Sequence, residues 1–215
     1  MFKCLVFDCT GDDVRVGVWK DVGNYKEIVL DGASGTESLM KAIDMALSAQ
    51  KISIQGIEYI GICVGPGSWT GSRVAVATLN GMYYGLKKKP KLFTFDTFDM
   101  LAYNGIEDPE NQWKSIYKIV PAYGKNIYVK KCSTSVWDVP FFTSKEEFLD
   151  TYDYDFVVAT KEIFENTIVV QKSMSEIAKE KVRECNFCEI SDIKPMYLRE
   201  SQAEIQLKKI KEGLK

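Results

Sequence analysis

Ten residues, Val64 to Arg73, constrain this chain more than any other stretch: V-G-P-G-S-W-T-G-S-R. They join the apolar run Ile57 to Val64 to a second apolar stretch that ends at the lysines 87–89. Three glycines and a proline in one turn require a sharp bend where side chains do not fit. A strand before the bend and a helix after it leave the first helical amides unpaired, a natural seat for an anion or for a partner's polar groups. The loop holds a phosphate, holds a partner, or only turns a corner.

Spacing argues against the first. A phosphate-cradling P-loop closes on a glycine followed by Lys and Ser/Thr. Here Gly71 is followed by Ser72 and Arg73, and the interval from Gly65 is one residue too long. The dinucleotide pattern G-x-G-x-x-G also fails, because Gly65, Gly67 and Gly71 give G-x-G-x-x-x-G. Generic capacity remains: Ser68 and Thr70 can cap helix amides, and Arg73 can make bidentate contacts to a carboxylate or phosphate. Together with Asp8 and Thr10 of the turn-rich Asp8–Asp13 cluster, these loop residues are the candidates for anion or nucleotide contact. Ordinary turn chemistry explains the Asp8 cluster equally well.

The helix predicted over 72–86 says more. Val74, Ala75, Val76, Ala77, Leu79, Met82, Tyr83, Tyr84 and Leu86 leave it no wide polar face, whereas a helix lying on a sheet normally keeps one. Ala77, Gly81 and Gly85 recur every fourth residue as a smooth strip on which another helix can approach. The cover is a neighbouring helix over 37–49, a second subunit, or both. Leu39, Ile43, Val74, Ala77, Thr78, Gly81, Met82 and Gly85 are the candidate partner interface, and full burial inside one chain is the alternative.

Composition narrows the function classes. At 215 residues and 46% hydrophobic content the chain can build a substantial core, as one domain or two small lobes. Lys and Arg total 28 against 30 Asp and Glu, so the basic excess typical of tight nucleic-acid binders is missing. Lys87, Lys88, Lys89 and Lys91 form a local basic patch that suits a solvated helix end. The chain has no histidine, which excludes His-dependent triads, HExxH zinc sites and histidine acid–base catalysis. Cys4 and Cys63 read as core residues, and Cys185/Cys188 form a lone C-x-x-C, a poor zinc signature. The opening residues do not read as a signal peptide and no run approaches a membrane span, so a cytoplasmic protein with reduced thiols is expected.

The apolar patterns predict strands at 3–7, 14–18, 26–30, 57–64 and 92–95, with a helix around Leu39, Ile43, Ala46 and Leu47 capped by Thr36 or Ser38. The polar stretch Asn104 to Trp113 is the predicted boundary, dividing the chain into lobes of 1–103 and 104–215. Strands at 116–120, 127–129 and 156–159 follow. Helices are expected after Ser144, with Glu147 as capping-box partner, over 173–183, and in a charged terminal segment after the extended Lys194–Arg199. No tandem repeat is evident. The order is α/β with mixed sheets.

Residues 64–78 resemble the G-P-G-S-F-T-G-L-R-I-G-V-A-T signature of the bacterial TsaB (YeaZ) family. Phe7-Asp8-Cys9-Thr10 is similar to that family's I-D-T-S opening, and Lys194-Pro-Met-Tyr-Leu-Arg199 resembles its P-x-Y-L-R. The resemblance implies an actin-like (ASKHA) fold of two lobes and a role in making N6-threonylcarbamoyladenosine (t6A) in tRNA. It implies a chain without independent catalysis, partnered by a TsaD-like subunit that holds ATP and a metal, with a TsaE-like ATPase docking on the pair. The family's heterodimer and homodimer both use helices of the N-terminal lobe. No cofactor is then expected on this chain, and tRNA would be met only indirectly. The rival implied by the fold is an ATP-dependent phosphotransferase or ATPase acting alone through Asp8, Thr10 and the glycine loop; a peptidase lacks its His and metal ligands. This chain departs from the family's pattern at Pro121–Tyr128, where only Ala122 and Tyr128 match, at 32–38, where the usual His is missing, and at Cys9, which replaces a hydroxyl residue.

Overall fold

The structure is a computed structural model that describes residues 2–21, 23–32, 35–101, 115–132 and 139–200, with 204, 206, 207, 210 and 211 beyond them. The predicted boundary at 104–113 and most of the predicted terminal helix lie outside the described residues.

β1 (Cys4–Asp8), β2 (Asp13–Asp21) and β3 (Asn24–Asp31) form an antiparallel meander, followed by α1 (Gly35–Gln50), β4 (Tyr59–Cys63), α2 (Trp69–Gly85) and β5 (Lys91–Phe95). The first sheet runs β3-β2-β1-β4-β5, with β1, β4 and β5 parallel. A second meander, β6 (Ile116–Pro121), β7 (Asn126–Cys132) and β8 (Phe141–Ser144), leads into α3 (Lys145–Thr151), β9 (Phe156–Ala159) and β10 (Thr167–Val169). That sheet runs β10-β9-β6-β7-β8 and repeats the first in pairing: a meander, then two parallel strands beyond its first member. The repeat is one of topology, which explains why no repeat is visible in the residues.

Alternation along each strand fills two layers. Leu5, Phe7, Val14, Val16, Val18, Ile60 and Ile62 pack under α1 and α2, among Leu39, Ile43, Ala75 and Leu79. Cys4, Val6, Trp19, Cys63, Phe93 and Phe95 face the other way, onto Met174, Ile177 and Ala178 of α4 (Met174–Arg183). α4 comes from the second half of the chain yet closes the first sheet, and Ile193 is buried in the α1/α2 layer. The second sheet has its own layers, one around Phe98, Ile116, Val120, Tyr128 and Val158, the other around Ile119, Ile127, Val129 and Phe148 of α3.

Local expectations need three corrections. α1 begins at Gly35, so Thr36 and Ser38 lie inside it rather than capping it. α2 begins at Trp69, three residues early, because Ser68 is the N-cap and its Oγ accepts from the Gly71 amide at 3.1 Å. At α3 Ser144 caps as expected, but the Glu147 carboxylate accepts from Thr143 Oγ1 at 2.6 Å. The reciprocal capping box occurs instead at Ser173 and Glu176 of α4. Among the described residues no helix is long and apolar enough to cross a membrane.

Candidate functional site

The three segments that stood out in the sequence meet at one place. The carboxylate Oδ1 of Asp8 accepts from the Thr10 amide at 2.8 Å and the Thr10 hydroxyl at 2.7 Å, a closed Asx turn at the end of β1. The glycine loop lies directly on this turn. The Ser68 amide donates to the Thr10 carbonyl at 2.7 Å, and the Cys9 thiol donates to the Gly71 carbonyl at 3.1 Å. A Cβ on Gly67 would stand 2.3 Å from the Thr10 carbonyl oxygen, and one on Gly71 1.8 Å from that of Cys9. Both glycines therefore serve backbone-to-backbone contact. Thr97 joins from beyond β5, donating its amide to Gly65 O at 2.9 Å and its hydroxyl to Pro66 O at 2.7 Å. The C-terminal motif completes the cluster. The Met196 amide donates to Val64 O at 2.7 Å, and Tyr197 stacks on Trp69 with centroids 4.3 Å apart and planes at 16°. Arg73 Nε donates to Tyr197 Oη at 2.8 Å while its guanidinium lies 4.9 Å from the Trp69 ring centre.

The chain itself fills part of the anion seat. Of the amides at the start of α2, those of Ser68, Gly71 and Ser72 are taken by Thr10 O, Ser68 Oγ and Ser68 O. Of the eight candidate contacts, Asp8, Thr10, Gly67 and Ser68 line an open cleft of about 700 Å³ between the sheets, whereas Gly65, Thr70, Gly71 and Arg73 do not. The lining carries Asp8, Asp12, Asp13 and Asp31 against Lys161 and Arg199, a balance that disfavours a polyphosphate. Burial pushes the Asp8 carboxyl above its ordinary value, opposed by the two Thr10 hydrogen bonds. Cys9 is pushed up to about 12 by burial and by Asp8, and Cys63 well above its usual value by the same causes, so both stay neutral. Among the described residues no group of three or more Cys, Asp or Glu is placed to hold a metal ion.

The interface candidates divide. Leu39 and Ile43 are 1% and 2% exposed and hold α1 on the sheet; Ile43 reaches only the floor of the surface groove. The 3.6-residue period turns them toward the sheet, where α1 lies on β2 and β3. The outward residues that sequence reasoning missed include Met40, 56% exposed, Asp44 and Met45, 40% exposed. On α2, Val74, Thr78 and Met82 are half-buried while Ala77, Gly81 and Gly85 are exposed, in line with Arg73 and Tyr84. A Cβ on Gly81 or Gly85 would meet nothing within 4 Å. Between the two helices runs an apolar groove of about 320 Å³, walled by Met40, Leu47, Ile54, Met82 and Leu86. Lys89 Nζ donates to the carbonyls of Tyr83, Tyr84 and Leu86 at 2.7, 3.3 and 2.8 Å and so caps the C-terminus of α2, while Lys87 and Lys88 stay exposed.

Residues 34–130 match the family model described as "TsaD: tRNA N6-adenosine threonylcarbamoyltransferase". Two solved structures share the fold. One, described as an uncharacterized protein with similarity to peptidase YEAZ from Pseudomonas aeruginosa, is 14% identical, covers 93% of this chain and 100% of its own, and superposes with a TM-score of 0.69. The other, YeaZ from Pseudomonas aeruginosa, is 13% identical over 92% of this chain and 100% of its own, with a TM-score of 0.68. The resemblance read from the motifs is borne out in fold along nearly the whole chain, the two-lobed actin-like architecture included.

Proposed function

We propose that this TsaB-like chain acts in tRNA t6A modification as a non-catalytic partner subunit, docking on a TsaD-like subunit through the exposed line of α2 and the outer edge of α1. The single observation that carries the reading is the placement of Gly81 and Gly85. Glycine within a helix costs about 1 kcal/mol relative to alanine, and nothing in the chain itself requires either one. Their use is outside the chain, where a helix of another subunit can come close. The exposed apolar residues Met40 and Tyr84 on either side support the same face, and a standard contact of about 1,600 Å² would suffice for a stable pair. Match to the TsaD family over 34–130 and likeness to YeaZ support the process.

In this reading ATP and metal belong to the TsaD-like and TsaE-like partners. The Asp8 cleft is the basis of the rival, an ATPase acting alone. Co-purification with the host's TsaD-like protein separates them: Gly81→Arg is expected to abolish association, with no ATP turnover by the isolated chain. Association unchanged in Gly81→Arg removes this interface, and ATP hydrolysis lost in Asp8→Ala establishes the rival.

A further inference from the structure

We propose that residues 193–199 are a lock that holds the two sheets at one fixed opening of the cleft, so that the chain presents itself to a partner as a rigid body. Nucleotide-driven members of hinge-bending folds need lobes free to rotate about their connections. Here the C-terminal segment crosses from one lobe's core to the other's within six residues. Ile193 and Met196 sit in the α1/α2 layer of the first lobe, and Leu198 packs into the Phe98–Tyr128 layer of the second. Backbone and side chains fasten the first end: Met196 N to Val64 O, Tyr197 on Trp69, and Arg73 to Tyr197 Oη. Arg199 fastens both. Its guanidinium carbon lies 6.0 Å from the Trp69 ring of the first lobe and 5.7 Å from the Phe142 ring of the second, at the wall of the cleft.

The connecting turn after β5 is tied in the same sense. Lys118 Nζ donates to Phe98 O at 3.0 Å, Lys130 pairs with Asp96 at 3.6 Å, and Lys181 of α4 pairs with Asp99 at 3.1 Å. These contacts join β6, β7 and α4 to a single turn, whereas a working hinge would leave it few neighbours. Across the cleft mouth Lys161 reaches Asp12 at 3.4 Å.

The test uses nitroxide labels on Lys26→Cys and Glu146→Cys, one per lobe, with Cys132, Cys185 and Cys188 replaced by Ser. The parent is expected to give one narrow distance distribution, unchanged by ATP with Mg²⁺. Tyr197→Ala and Arg199→Ala are expected to broaden it while far-UV circular dichroism stays the same. A parent distribution already broad, or variants as narrow as the parent, overturns the lock. Should the variants fail to fold, hydrogen exchange on the unaltered chain decides: the Met196 amide is expected to exchange within roughly tenfold of the Ile60 core amide, and loop-like exchange overturns the proposal.

Discussion

Gly71 and Gly81 sit ten residues apart in one helix and obey opposite physics. Gly71 has the Cys9 carbonyl where its Cβ would be, so Gly71→Ala is expected to cost roughly 3 kcal/mol or more in urea unfolding. Gly81 faces open space, so Gly81→Ala is expected to stabilise the isolated chain by about 0.5–1 kcal/mol while weakening the proposed association. Calorimetry of the chain alone and binding to the partner check both halves. Asp8 carries a pH signature. Its folded pKa lies above the 3.8 of the unfolded chain, so the native state holds the proton longer and stability from this group falls as pH rises through the folded value. Asp8→Asn keeps an oxygen to accept from Thr10 and removes the buried charge. Its stability relative to the parent is expected to rise between pH 4 and pH 8; a constant difference across that range removes burial of the charge as the cause.

Among elements, α4 decides most about how the lobes are assembled. It is a short helix with a complete cap, and its apolar side, Met174, Ile177 and Ala178, covers Cys4, Val6, Trp19, Phe93 and Phe95. Ile177→Ala is expected to destabilise the first sheet by about 2–4 kcal/mol, read as loss of amide protection in β1 and β5. Most elements were legible beforehand, because β1, β4, α1 and α2 have apolar periods strong enough to outweigh their neighbours. Two were not: β8 and β10 have only four and three residues, too short for any period to emerge. The start of α2 was misread for a different reason. Trp69-Thr70-Gly71 looks like loop by composition, and only the Ser68 cap shows that the helix has begun.

At the level of the whole molecule, the chain closes each lobe with material from elsewhere in the sequence. A fragment ending at residue 101 lacks α4 and the 188–199 segment, so it is expected to give no dispersed amide spectrum on its own; a folded fragment would contradict the layer built from Met174 and Ile177. The succession of elements through β5 and the three motifs were readable as residues, since glycine spacing, apolar period and turn chemistry act within a few positions of the chain. That spacing already argued against a phosphate cradle and pointed toward a partner. Why the motifs belong together was not readable. Asp8, Gly67 and Tyr197 are brought to one point by β1, the β4–α2 loop and a returning segment, and contacts between residues so far apart leave no local pattern. The same holds for which apolar residues of α1 face outward. Leu39 and Met40 are equally apolar in sequence, and only the sheet beneath them decides that one is core and the other is available to a partner.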